Sequence, residues 1–451
     1  MKFPILSTFA LLLTLILISC FGNKRITTNE IDESETDGII SESVKHKKKM
    51  IIVYKNKTVS NKIRTVLLHQ EKEPLSIPII NLNSKEKLHF SFDDLDGKIK
   101  DYYYTIIHCN ANWTKSDLMQ SEYIDGFTQE PITKYEFSFN TIQKYTHYEF
   151  TFPIENIRPT HSGNYIFKIF IAGRLDSAII IKRFMILDTK VNIQAEVKKA
   201  TLVQDRNSKH EIDFTIKHPD LVITDPFSDI KVIVKQNNKE DNMIMDLKPL
   251  FVKNNELIYD YQYENTFWGN NEFRHFDIKS LRYQSERIRK IIFDSTYTHV
   301  YLFDDKKRPF ERYSIEPDIN GKFLIKSQEG WKSTIEADYA FVHFTLPIEQ
   351  FSYGNLYLLG EFTNWQLTKE NKLHYNTDKM QYEGSMYLKQ GYYNYHYALL
   401  DTSTKRVDVS WIEGTHYQTR NDYYIYVYYR AIGERYDRLI GFIKTSSKEL
   451  F

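Results

Sequence analysis

Tyr102-Tyr103-Tyr104-Thr105-Ile106-Ile107 and Tyr165-Ile166-Phe167-Lys168-Ile169-Phe170 decide the fold class. Both runs are short and rich in aromatic and β-branched residues, which suit a pleated, packed surface better than a helix. In an extended chain successive side chains point to opposite faces, so such runs alternate between two environments. Lys231-Val232-Ile233-Val234-Lys235 and Tyr393-Asn394-Tyr395-His396-Tyr397 have the same character, and Gly, Pro, Asn and Asp clusters bound them. From residue 50 onward few segments keep an apolar helical pattern for three turns; Asp117 to Tyr123 is the short helix expected. Many short strands set apart by turn residues predict an all-β protein built of tandem β-sandwiches.

Composition sets the energetic terms. The chain has 451 residues, 41% hydrophobic and 15% aromatic, with 33 Tyr and 29 Phe, enough to fill large cores. At about 100–200 residues per domain that length suggests about three domains. Formal net charge is +1 from 60 basic and 59 acidic residues. That balance gives no electrostatic reason to expect a nucleic-acid partner.

The N-terminus bears on compartment. Lys2 precedes the apolar run Phe9 to Ile18, which falls short of the about 20 residues that span a bilayer and matches a signal-peptide core. The run ends in Leu17-Ile18-Ser19-Cys20, which resembles a bacterial lipobox. The resemblance implies removal of residues 1–19 and lipidation of Cys20, an outer-membrane anchor facing the periplasm. Two or more acyl chains hold a protein at a membrane where one does not. With Cys20 acylated, Cys109 is the only thiol left, so no internal disulfide forms. Residues 20–49 are polar and aperiodic, and read as a flexible tether with a reach of roughly 30 Å.

Domains are expected at 50–188, 189–328 and 329–451. Asp188-Thr189-Lys190 marks the first link, and Ser327 to Lys332, after the turn Asp318-Ile319-Asn320-Gly321, the second.

Signatures of dinucleotide binding, phosphate loops, zinc proteases, paired-cysteine metal sites and serine hydrolases are missing from the sequence. No catalytic residue, cofactor or metal is assigned, and the chain is expected not to be an enzyme. His108 and Cys109, adjacent on a strand, face opposite ways and cannot pair. Asp93, Asp94 and Asp96 before Gly97 lack the ligand spacing of a calcium loop and read as an Asp-rich hairpin turn. Tyr393, Tyr395 and Tyr397 share one strand face, and Tyr424, Tyr426 and Tyr428 share another. Flat aromatic faces of this kind either pack between sheets or grip a glycan or a protein partner.

Two resemblances extend this reading. Leu356 to Trp365, with Gly360-Glu361-Phe362-Thr363-Asn364-Trp365 as its turn, precedes Met380 to Gly384 and Gly391 to Tyr397. This order resembles early-set immunoglobulin-like modules related to glycogen-binding domains. It implies an immunoglobulin-like C-terminal sandwich and makes Trp365, with Tyr393, Tyr395 and Tyr397, the candidate glycan or partner contact. The second covers nearly the whole chain after residue 50. His108 to Trp113, Glu122-Tyr123, Gly126-Phe127, Asn140-Thr141, Tyr145 to Tyr148, Phe152-Pro153 and Ser162 to Tyr165 resemble the opening of the type IX secretion system plug protein family of Bacteroidetes. Gly269 to Asp277 resembles its second region; Glu413 to Thr419, Asn421 to Tyr423, Tyr428 to Arg430 and Asp437 to Gly441 resemble its end. What this resemblance implies is a protein at the periplasmic mouth of the outer-membrane β-barrel translocon that occludes it between export events. A glycan-binding envelope lipoprotein, or an envelope hydrolase without a recognised motif, are the alternatives.

Overall fold

Alternate residues of the strands Tyr102–Cys109 and Gly163–Ile171 point into one apolar core, as their period of two requires. The computed structural model describes residues 53–447; Cys20, the leader 1–19 and the tether 20–49 lie outside the described residues. Among the described residues, no helix is long and apolar enough to cross a membrane. Helices are single turns, and the one expected over Asp117 to Tyr123 is Gln120–Tyr123.

The first sandwich faces two sheets. One runs in the order Lys57–Thr58, Ile180–Leu187, Gly163–Ile171, Tyr102–Cys109, Glu130–Pro131, with Ile79–Asn81 added parallel to Ile180–Leu187. The other runs Ile63–Gln70, Leu88–Asp94, Thr146–Phe152, Lys134–Phe137. Phe90, Phe92, Phe167 and Phe184 fill the space between them, all fully buried. Burying each such side chain contributes about 1.5–3 kcal/mol.

The middle sandwich is discontinuous in sequence. Its first sheet holds Asn192–Lys199, Lys209–Lys217, Glu256–Tyr259 and Phe251–Lys253, with Thr266–Trp268 paired to Lys209–Lys217. Its second sheet runs Ile244–Met245, Ile230–Gln236, Asp422–Tyr429, Arg438–Ser446. Ile425 and Val427 join Ile212, Ile216, Val232 and Val234 in one core.

The third sandwich is therefore an insertion into the middle one. Gly391–Asp401 is the spine of one sheet, pairing with Arg274–Asp277, Phe323–Ile325, Gly354–Leu359 and Val407–Asp408. The facing sheet runs Ile288–Phe293, Thr298–Leu302, Tyr339–Leu346, Gln381–Lys389, His374–Asn376. This arrangement corrects the boundaries expected at 328 and 451. Residues 327–332 are a loop inside the third sandwich, because Phe323–Ile325 before them pairs with Gly391–Asp401 after them. The last two strands belong to the middle sandwich, because their inward residues complete its core.

One consequence is testable. A separately expressed 329–446 segment carries Asp422–Tyr429 without its partner Ile230–Gln236 and lacks Arg274–Asp277. It is expected to show no cooperative thermal transition by circular dichroism, whereas residues 269–420 should melt cooperatively. A sharp transition in 329–446 alone would contradict the insertion.

Candidate functional site

The residues singled out as a contact platform do not form one. Tyr393, Tyr395 and Tyr397 point inward from the spine strand and are buried in the third core. The hydroxyls of Tyr395 and Tyr397 both donate to Asp305 Oδ2, at 2.6 and 2.8 Å. Asp305 and Glu413 in turn hold Arg274, at 2.9 Å to Asp305 and 3.0 Å to Glu413, and Arg308 reaches Glu413 at 2.9 Å. Burial opposes ionisation of Glu413, yet the two guanidiniums override it and pull its carboxyl down to about 2. This is a satisfied ionic core, and the tyrosines cap it.

Trp365 lies at a junction of all three sandwiches. Asn364 and Trp365 both adopt positive φ, which turns the chain sharply after Glu361–Thr363. The indole packs edge-on to Phe273 at 5.9 Å, and Lys239 of the middle sandwich lies 5.7 Å from its centroid. A Cβ on Gly321 would stand 2.3 Å from the same ring, and Gly321 has φ +79°, so only glycine fits that turn. Lys182 of the first sandwich donates to Asn364 Oδ1 at 2.8 Å. The Gly360-to-Trp365 turn thus joins domains, with Trp365 half-buried against Phe273.

Tyr424, Tyr426 and Tyr428 meet a different fate. Their strand is buried on both faces: Ile425 and Val427 enter the middle core, while the tyrosines pack on Ile79, Cys109, Trp113, Ile166 and Met185 of the first sandwich. Tyr428 donates to Asn164 Oδ1 at 2.8 Å, and Asp437 accepts from Ala111 N at 2.9 Å and from Lys231 Nζ at 2.8 Å. Cys109 sits in this seam, where burial pushes its thiol up to about 12. His108, on the opposite face, bonds Ser116 Oγ at 2.9 Å.

The middle and third sandwiches are joined by two crossovers that run side by side. Asn271 donates to Glu413 O at 2.8 Å, His416 N to Asn270 O at 2.8 Å, and Asn421 to Gly269 O at 2.8 Å. Gly269 permits this approach, since a Cβ there would lie 2.0 Å from His416 O. The Gly269–Asp277 and Glu413–Thr419 segments are therefore one structural device.

The first and third sandwiches meet through charge. Asp93, expected in a turn, lies within the strand Leu88–Asp94 and is fully buried; the turn proper begins at Leu95 and uses Gly97 at φ +63°. Asp93 Oδ2 accepts from Lys389 Nζ at 2.6 Å and from Tyr339 OH at 2.7 Å, and Oδ1 lies 2.7 Å from His147 Nδ1. Burial opposes ionisation of Asp93, but Lys389 and His147 outweigh it and hold its carboxyl below the usual range. Asp338 accepts from the backbone N–H groups of Ile142 and Gln143, and Tyr145 donates to Ala337 O at 2.8 Å. The described residues form one compact unit.

Beside this seam a cavity of about 570 Å³ opens between the first and third sandwiches, bordered by Lys57, Arg64, Lys182, Glu361 and Tyr387. Glu211, Asp213 and Asp260 converge elsewhere, and Lys198 reaches all three, so an ammonium already stands among them. Outward-facing aromatics gather at one corner. Tyr135 and Phe137 share a face of an edge strand with rings 6.2 Å apart, Phe139 N bonds Ile335 O, and Trp331 projects fully into solvent on the same loop. The sequence reading placed that loop in a link between domains and so missed it.

The profile described as type 9 secretion system plug protein 1st domain matches residues 63–188. Those limits bracket the first sandwich from Ile63–Gln70 to Ile180–Leu187. No curated protein matches the chain. Among solved structures, a hypothetical protein from Parabacteroides merdae ATCC 43184 is similar at 34% identity and a TM-score of 0.85; the match covers 88% of this chain and 100% of that one.

The charged seam generates two expectations. Asp93→Ala leaves Lys389 and His147 without the carboxylate they share and should cost about 3–5 kcal/mol in denaturant unfolding; a change under about 1 kcal/mol would contradict the buried pairing. Burial lowers the pKa of His147, but its hydrogen bond to Asp93 and the nearby carboxylates of Asp93 and Glu149 win and raise it. A raised folded value stabilises fully below the ordinary histidine pKa of about 6.5 and is lost as pH climbs through the folded value. Stability should therefore fall with pH above about 6.5, and His147→Gln should flatten that slope; an unchanged slope in the variant would remove His147 as its source.

Proposed function

Because the chain belongs to the type 9 secretion system plug protein family, we propose that it binds the periplasmic side of the secretion translocon's outer-membrane β-barrel and plugs the pore without catalysing a reaction. Family membership gives it a role associated with type IX secretion in the cell envelope. The finer reading is carried by one observation: the three sandwiches are welded by buried polar seams into a single body. A pore wide enough for protein cargo leaks unless something stiff fills its opening, and close-packed sandwiches with charged seams resist deformation. The titratable groups that the fold brings together, Asp93 with Lys389 and Glu413 with Arg274, are buried and mutually neutralised, which suits a structural role better than chemistry.

Lipidation at Cys20 completes the proposal. A tether confines the body near the bilayer and raises its effective concentration at a membrane-embedded partner, so that a moderate, releasable contact suffices. The glycan-binding alternative loses its platform, since Trp365 is held at the domain junction and Tyr393, Tyr395 and Tyr397 are interior.

Three results test this. A C-terminally tagged chain, solubilised in mild detergent, should co-purify a large outer-membrane barrel. Deletion of the gene should admit large antibiotics across the outer membrane, and Cys20→Ala should release the protein from the membrane fraction. Recovery of no barrel, together with unchanged permeability in the deletion strain, would refute plugging; an unaltered membrane fraction for Cys20→Ala would refute the anchor alone.

A further inference from the structure

The cavity between the first and third sandwiches holds a charge that the fold compensates only in part. Arg64 and Glu370, on opposite walls, pair at 2.8 Å, and Lys389 is paired to Asp93. That leaves Lys57, exposed at the rim, and Lys182 inside, facing the single carboxylate of Glu361, which Lys322 also draws on. Lys182 is the deeper of the two. Among the described residues its Nζ makes one hydrogen bond, to Asn364 Oδ1, and no salt bridge, so two of its three N–H donors are unspent. Burial pulls its pKa down to about 8, and the Glu361 carboxylate offsets that only in part.

A second feature lines the same cavity. Among the described residues Lys57–Thr58 is the edge strand of its sheet, paired to Ile180–Leu187; Gln366 already donates to the outward carbonyl of Asn56 at 2.6 Å, which leaves Thr58 as the open part of that edge. Val59 N bonds Ile179 O, which fixes Thr58 as a residue whose main-chain N–H and C=O point away from the sheet, on the edge bordering the cavity. An open strand edge is a template for another extended chain, and natural proteins normally cover it. Phe341, Phe362 and Tyr387 supply apolar walls on the facing side.

We propose that this cleft binds an extended acidic peptide segment, which adds a strand along Thr58 and places a carboxylate on Lys182. An acidic side chain supplies the missing counter-charge, and an extended backbone supplies the missing ladder partner. The inference concerns a site inside the protein body and stands independently of the plugging assignment.

The test uses the full chain in detergent and two capped octapeptides, one alternating valine with glutamate and one valine with glutamine. By titration calorimetry the glutamate peptide should bind saturably with one-to-one stoichiometry, and the glutamine peptide roughly tenfold or more weakly, the loss of a charge-assisted hydrogen bond. Lys182→Met should weaken the glutamate peptide to a similar degree, while Lys182→Arg should stay close to the parent. Should Lys182→Met fail to fold, the two peptides on the parent chain and on Lys182→Arg decide the matter. Absence of saturable binding by the glutamate peptide, equal affinity for both peptides, or undiminished binding to folded Lys182→Met would each overturn the proposal.

Discussion

A carboxylate shut away from water must find a cation or give up its charge, and Asp93 finds its permanently charged partner in a different sandwich. Its partner Lys389 lies in the third sandwich, as does Tyr339, while His147 approaches from its own. The first sandwich folded alone would expose or strand this charge, and the third would strand Lys389. Each domain is therefore complete only when docked on the other. Apolar seams are tolerant of sliding, because area is all they require; a buried ion pair fixes register, because removing either partner is far costlier than never having buried the pair. The same logic recurs at Asp437 against Ala111 and Lys231, and at Asp338 against Ile142 and Gln143.

The topology reinforces this. Inserting the third sandwich into the middle one makes two covalent crossings, and hydrogen bonds between them turn a potential hinge into a double strap. Gly269 is the enabling residue, since any side chain there would hold the straps apart. The strand Asp422–Tyr429 then serves two cores at once, inward to the middle sandwich and outward to the first. A body made this way transmits force across its seams instead of bending at linkers.

Fold class was legible in the sequence because period two is a local property: Tyr102–Ile107 and Tyr165–Phe170 announce strands without knowing what they face. What faces them is not local. The alternation at Tyr393, Tyr395 and Tyr397 is the same whether the outer environment is solvent, a sugar or Asp305, and the structure supplies Asp305. The return of the last two strands to the middle sandwich could not be read, because the pairing joins segments far apart in the chain and leaves no periodic trace. The crossover bond from Asn271 to Glu413 spans 142 positions. The Gly360-to-Trp365 turn was visible as a turn, yet its role depended on Lys239 and Lys182, which no spacing rule connects to it. One signal was available: Gly269-Asn270-Asn271 and Glu413 to Thr419 are polar, non-periodic segments between strand runs, the mark of backbone that must be satisfied by side chains rather than by a ladder.

The central claim is that the three sandwiches behave as one body, and hydrogen exchange read by mass spectrometry at increasing denaturant tests it most directly. Peptides from Tyr102–Cys109, Lys209–Lys217 and Gly391–Asp401 report on the first, middle and third cores separately. The account predicts that all three lose protection at a common denaturant midpoint. Stepwise loss, with one sandwich opening while the others stay protected, would contradict it.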